Sequence, residues 1–329
     1  MSSRGYKKVA VVMGGFSSER EVSLITGQEC SRALKGEGFE VIDIVADIDL
    51  IGLLKEAEPD VIFNALHGRW GEDGCAQGIF EWLQIPYTHS GVHASSTAMD
   101  KIKTKEVYEA NQLPTPQGIK IPKYKVVDYS PFNPPYVIKP VRDGSSVGVE
   151  IVHSEENCSF LGKKFKVDYM LEKYIPGREL TVSVLDDNSL NVTEIVTKGF
   201  YDYHAKYSEN GSCHEVPAKI PKDVFEACLN YAEVAHRALG CEGLSRTDFR
   251  WDDTQGLDGL MLLETNTQPG MTPTSLSPEQ ASLTGMDLGQ LCRKLVEMAN
   301  GNKSNQHTVS KSDELSQDHF FSQIHADSH

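Results

Sequence analysis

The strictest constraint on the fold lies in the first part of the chain, where strand-length apolar runs alternate with helical patterns. Residues 9–13 form the first run, Gly14-Gly15 ends it, and Ser18-x-x-Glu21 reads as a capping box opening a helix. That helix carries Val22, Ile25, Ala33 and Leu34 on one side and stops near Gly36 and Gly38. Residues 39–45 give a second strand, 50–57 a short helix, 60–66 a third strand and 74–83 another helix. This β-α-β-α rhythm predicts a parallel, doubly wound sheet. Ligands of such sheets sit beyond the carboxyl ends of the strands. Gly14-Gly15 and His67-Gly68 fall at those ends.

The pattern then changes. A helix is expected over 100–111, and Pro114 and Pro116 mark a boundary. A smaller α+β unit follows, with strands at 118–121, 135–141, 147–152 and 169–175. A hairpin is expected next, with arms 180–185 and 190–197 joined by residues 186–189. Beyond a polar loop, 198–214, Pro221 starts a helix with Phe225, Leu229, Ala232, Ala235 and Leu239 on one stripe. Two strands carrying Asp248 and Glu264 precede a closing helix, 288–298. From 302 onward the chain is polar and unpatterned apart from Phe320 and Phe321, a composition that favours disorder. The expected units are 1–98, 99–182 and 183–300, then the tail 301–329.

At 329 residues, two or three domains are expected. A net charge of −15 argues against nucleic acid, which needs a basic face, and against anionic membrane surfaces. It leaves room for a local lysine and arginine cluster that holds an anionic nucleotide. The seven cysteines are scattered and never form C-x-x-C, so zinc and a disulfide framework are both disfavoured. Reduced thiols in a cytoplasmic protein fit best. No signal peptide or apolar run of ~20 residues stands out.

The chemistry concentrates in Leu263-Glu264-Thr265-Asn266-Thr267-Gln268-Pro269-Gly270-Met271. Glu264 and Asn266 are two apart on a strand, so both oxygens face one side. Arg246-Thr247-Asp248 adds a second carboxylate on the preceding strand. Hard oxygen donors of this kind suit Mg²⁺, which commonly also holds substrate phosphates. Taken alone, the stretch reads better as a strand ending in a polar turn. Lys139 precedes a small-residue loop, 142–148, that can hold a phosphate chain, though no Walker A motif exists. Glu172 and Glu179 bracket a turn that is either a solvated edge or an adenosine pocket. The glycine-dense loop 67–74 ends a strand and favours a substrate role, and Glu19 lies at the analogous place after the first strand.

With residues 14–23, 67–74, 139–148, 201–207 and 264–271 in this order, the chain closely resembles the D-alanine–D-alanine ligases of the ATP-grasp superfamily, over residues 7 to about 300. The resemblance implies a Rossmann-like N-terminal domain followed by two α+β subdomains that clasp ATP. It also implies ATP-dependent ligation of two D-alanines through a D-alanyl phosphate, for peptidoglycan, by a homodimer.

Residue by residue, the resemblance implies that Asp248, Glu264 and Asn266 hold two Mg²⁺ ions, with Mn²⁺ as an alternative. Lys101, Lys139, Ser146 and Lys206 would serve the ATP phosphates; Glu172, Lys173, Ile175, Glu179, Phe200 and Leu263 would surround the adenosine. Arg246 and the Gly270 N–H would stabilise the oxyanion, and His67 and Glu19 would belong to the first D-alanine's site. Ser275 and Leu276 would receive the second D-alanine, and Glu19, Ser145 and Tyr207 would orient its amine.

Three positions depart from the family's pattern: Trp70 and His204, and Gln268, where a small residue often precedes Pro-Gly-Met. None removes a metal ligand or phosphate contact. The alternatives are a D-alanine–D-lactate or D-alanine–D-serine ligase, which Lys206-Tyr207 disfavours, and a non-catalytic nucleotide-binding regulator, which the intact ligand set disfavours.

Overall fold

The structure, a computed structural model, describes residues 5–126, 130, 132–144, 148–154, 162, 164–196 and 213–299. Its first sheet is parallel, in the order β2-β1-β3, built from β1 (Lys8–Gly14), β2 (Glu40–Ala46) and β3 (Val61–Asn64). Helices α1 (Arg20–Gly36) and α2 (Leu50–Ala57) make the crossovers, and α3 (Cys75–Trp82) follows β3. Successive β1 side chains enter different cores. Val9, Val11 and Met13 pack with Cys30 and Leu34 of α1. Ala10 and Val12 pack with Leu50, Leu54 and Phe80 of α2 and α3. Burial on both faces is why β1 reads as an unbroken apolar run rather than an alternating one.

The expected capping box does not form. Helix α1 starts at Arg20, and its N-cap, Glu19, makes no side-chain bond to the helix. Ser17 organises the turn instead: its hydroxyl accepts from the Glu19 N–H at 3.1 Å and donates to the His67 carbonyl at 2.6 Å. The Glu19 carboxylate is thus released from capping duty and faces the site.

Two antiparallel sheets follow. The second has the order β4-β7-β5-β6, from β4 (Gly118–Ile121), β5 (Tyr136–Pro140), β6 (Glu150–Val152) and β7 (Tyr169–Lys173). The third has the order β10-β9-β8-β11-β12, from β8 (Arg178–Leu185), β9 (Asn188–Val196), β10 (Cys213–Glu215), β11 (Leu244–Trp251) and β12 (Leu260–Asn266). The β8–β9 turn has two residues rather than the expected four. Asp186 and Asp187 both take left-handed φ, 55° and 64°, which matches the right-handed twist of a hairpin.

Helix α4 (Val92–Met99) leads into α5 (Lys101–Ala110), whose N-cap Asp100 accepts from the Ile102 and Lys103 N–H groups. Tyr108 of α5 joins Val182 and Leu262 in the core under the third sheet, which α6 (Lys222–Leu239) covers with Cys228, Ala232, Ala235 and Leu239. After α7 (Leu276–Leu283), α8 (Leu288–Met298) returns to the first sheet. There Leu291, Cys292, Leu295 and Val296 pack on Val9, Val11, Val61 and Phe63, so the chain's last helix completes its first core. Helices α4 and α7 and the short strand β10 had no clear signal in the sequence. Among the described residues no helix is long and apolar enough to cross a membrane.

His236 on α6 is buried, and its Nδ1 lies 2.7 Å from Ser245 Oγ. Burial pushes its pKa down to about 4, with Asp187 opposing and Arg237 assisting. A depressed folded value means stability that is present above pH 6.5 and lost as pH falls through about 4. His236→Gln is therefore expected to flatten the fall in unfolding free energy across that window, by up to about 3 kcal/mol. Urea titrations of both proteins at a series of pH values measure it.

Candidate active site

Pairing of β11 with β12 brings the predicted metal ligands together. Asp248 lies directly opposite Glu264, and Arg246 directly opposite Asn266, one strand step along on the same face. Like charges opposite one another on neighbouring strands are destabilising unless a cation intervenes. Two carboxylates and an amide on one face are hard oxygen donors that fit Mg²⁺. Among the described residues no three His, Cys, Asp or Glu side chains gather as a metal cluster, so this set depends on its asparagine. Asp248 is already oriented: Arg246 donates to both of its oxygens, at 2.8 and 2.9 Å, and Thr181 Oγ1 donates at 2.6 Å.

Lys101 joins the same cleft from the start of α5. Its Nζ donates to the Asp143 carbonyl at 2.7 Å and lies 3.4 Å from Glu264 Oε2. Lys139 stands deeper, on β5, with its Nζ 2.6 Å from Glu172 Oε2. Lys105, which sequence reasoning missed, is 2.6 Å from the other Glu172 oxygen. All three side chains are buried. Burial opposes ionisation of Glu172, but Lys139 and Lys105 outweigh it and hold the carboxyl below its ordinary value of 4.5. Burial likewise pulls the Lys105 ammonium down, with Glu172 opposing. Lys105 sits one helical turn after Lys101, and that spacing was the available signal.

The first sheet supplies the opposite wall, at the carboxyl ends of its strands. His67 is fixed at both ring nitrogens, by Glu72 Oε1 at 3.2 Å and Thr26 Oγ1 at 2.8 Å. Glu19 is buried beside the loop that follows. A Cβ on Gly68, whose φ is +69°, would lie 2.4 Å from Glu19 Oε2. If Glu19 holds the first D-alanine, as the resemblance implies, Gly68→Ala is expected to displace that carboxylate and raise KM for D-alanine about tenfold or more, with a smaller effect on KM for ATP. Initial rates with each substrate varied in turn measure this.

Glu19, His67, Lys101, Arg246, Glu264 and Asn266 line one cleft. Gly270, Ser275 and Leu276 line it too. Ser275 is the N-cap of α7, and its hydroxyl accepts from the Thr272 N–H at 2.9 Å, closing the turn after Gly270. Glu172 and Lys173 on β7, Glu179 on β8, Leu263 on β12 and Ile175 in the turn between β7 and β8 do not line this cleft. Arg250 bridges them: its guanidinium donates to the Ile175 carbonyl at 3.2 Å and the Gly177 carbonyl at 3.0 Å, and lies 3.5 Å from Glu179. Ser145, Ser146, Phe200, Lys206 and Tyr207, the departure His204, most of the loop 198–214 and the tail 301–329 lie outside the described residues.

Comparisons with known proteins identify the family of the chain. The family model "D-ala D-ala ligase C-terminus" matches residues 123–297, and "D-ala D-ala ligase N-terminus" matches 51–90. The D-alanine–D-alanine ligase of Ruegeria pomeroyi is 58% identical over 300 residues, covering 91% of this chain and 98% of that protein. That of Dinoroseobacter shibae is 57% identical over 300 residues, covering 91% and 97%. Among solved structures, the Bacillus anthracis D-alanine–D-alanine ligase complexed with ATP superimposes with a TM-score of 0.76 at 31% identity, covering 89% of this chain and 97% of that one. A match to both family models, with near-complete overlap to ligases more than half identical in sequence, means that this chain belongs to the D-alanine–D-alanine ligase family.

Proposed function

We propose that the protein joins two molecules of D-alanine at the expense of ATP, making D-alanyl-D-alanine for peptidoglycan precursors in the cytoplasm, as a homodimer. One observation carries the reading: Arg246, Glu264 and Asn266 share a cleft with Glu19 and His67, and Asp248 lies directly opposite Glu264 on the neighbouring strand. A phosphate-handling wall and an amino-acid-handling wall thus face one space.

Asp248, Glu264 and Asn266 would hold two Mg²⁺ ions, and Mn²⁺ is an alternative. Bound there, such ions offset phosphate charge and favour in-line transfer. Lys101 and Lys139 add fixed positive charge for the phosphates, and the turn bearing Lys173, Ile175 and Glu179 receives the adenosine with Leu263. Glu19, beside His67, holds the ammonium of the first D-alanine. That substrate's carboxylate oxygen attacks the γ-phosphorus, ADP leaves, and an acyl phosphate forms.

The second D-alanine places its carboxylate near Ser275 and Leu276, where the N-terminus of α7 favours negative charge. Its amine attacks the acyl carbon. Arg246 and the Gly270 N–H stabilise the resulting oxyanion, and collapse expels inorganic phosphate. Ser145 and Tyr207, with Glu19, would orient the amine, while Ser146, Lys206 and Phe200 would complete the nucleotide site.

Phosphate release with ATP, Mg²⁺ and D-alanine, compared with D-lactate plus D-alanine and with L-alanine, tests the proposal. Rapid release and a D-alanyl-D-alanine product support it. Turnover only when D-lactate is present would transfer the assignment to an ester-forming ligase.

A further inference from the structure

Gln268 is buried between the two walls of the cleft, and every polar atom of its side chain is engaged across the divide. Its Oε1 accepts from Asn64 Nδ2 at 2.6 Å, and its Nε2 donates to the Leu66 carbonyl. Asn64 closes the ring by accepting from the Leu66 N–H at 3.3 Å and donating to the Gly71 carbonyl at 3.2 Å. Gln77 donates to that same carbonyl at 2.7 Å. The backbone N–H of Gln268 meanwhile donates to Asn266 Oδ1 at 2.9 Å. One residue therefore touches a metal-ligand candidate on one side and, on the other, the end of β3 that leads directly into His67.

Neither half of this arrangement is generic. Asn64 and Gln77 are each about 1% exposed, so no water competes for the amide contacts. An amide held at both its donor and its acceptor has a single orientation. A small side chain at 268 would leave the Asn64 amide and the Leu66 carbonyl with fewer partners, and the 266–270 segment without its tie to β3.

We propose that Gln268 is a positioning residue. It clamps the segment carrying Asn266 and Gly270 to the strand end carrying His67, and so sets the spacing between the phosphate-handling and amino-acid-handling walls. The proposal rests on the ligase reading above. In that reaction the first D-alanine spans both walls, with its ammonium at Glu19 and its reacting carboxylate near Arg246 and Gly270. The spacing should therefore govern D-alanine more than ATP.

The test is steady-state kinetics and thermal unfolding of Gln268→Met, which keeps size and loses both bonds, and of Gln268→Glu, which keeps the acceptor for Asn64 and loses the donor to Leu66. Asn64→Leu and the double variant with Gln268→Met complete a cycle. Gln268→Met is expected to raise KM for D-alanine about tenfold with KM for ATP within about twofold of wild type, and Gln268→Glu to move KM the same way by less. The double variant should be no worse than the worse single variant. A loss of thermal stability with KM for D-alanine unmoved, or strictly additive single effects, overturns the clamp. A wild-type protein that forms no dipeptide defeats the ligase reading itself, so the two failures are distinguishable.

Discussion

Glu264→Gln is expected to abolish ligation to within about a thousandth of wild-type turnover while leaving the fold intact. Glu264 lies opposite Asp248 and within 3.4 Å of the Lys101 ammonium, at the focus of charge in the cleft. The neutral amide keeps the size of the side chain but removes the negative charge proposed to hold the metal. A metal site of this kind contributes several kcal/mol of transition-state stabilisation, and each 1.36 kcal/mol is about tenfold in rate. The side chain is 34% exposed, so little packing is lost. Turnover at saturating ATP and D-alanine, with unfolding followed in parallel, gives the answer. A variant that keeps most of its turnover removes Glu264 from the metal set.

Lys105→Met is expected to cost about 3 kcal/mol of stability, the scale seen when one member of a buried ion pair is removed. Two ammonium groups lie 2.6 Å from the Glu172 oxygens, one at each, and the variant leaves only Lys139 to offset its burial. The carboxyl's folded value lies below the ordinary 4.5, so its contribution is present above that pH and is lost as pH falls through the lower folded value. Removing Lys105 raises that folded value, so acid unfolding should begin at higher pH in the variant. Denaturant titrations at neutral and acid pH measure both effects. Unchanged stability at neutral pH would mean that Lys139 alone suffices to compensate the buried carboxylate.

The sequence made the first sheet legible because β1 is apolar from Val9 to Met13 and glycines punctuate the strand ends. It made the β11–β12 chemistry legible because a two-residue spacing on a strand fixes a common face. Helices α4 and α7 escaped notice because neither carries a long apolar stripe: α4 is Val-His-Ala-Ser-Ser-Thr-Ala-Met, and α7 buries Ser277 and Gln280 beside Leu276 and Ala281. Polar burial of this kind has no periodic signature. The capping-box reading failed because Ser17, one residue earlier than Ser18, makes the turn by bonding to the His67 carbonyl, a contact 50 residues away in sequence. Lys105 offered only its spacing from Lys101, and Asn64 no signal at all, for the same reason. Their importance comes from Glu172, Lys139 and Gln268, which meet them only after folding. Gln268 stood out only as a departure from the family's pattern, and its contacts with Asn64 and Leu66 give that departure a physical meaning.

The central claim is that the cleft activates a D-alanine carboxylate by phosphorylation before the amine attacks. D-alanine labelled with ¹⁸O in both carboxyl oxygens tests it most directly, with the released inorganic phosphate analysed by mass spectrometry. An acyl phosphate route transfers a carboxyl oxygen to phosphate, so each phosphate released in dipeptide formation should carry a single ¹⁸O. Unlabelled phosphate accompanying dipeptide would contradict the account, because the γ-phosphoryl group would then have passed to water and not to the substrate.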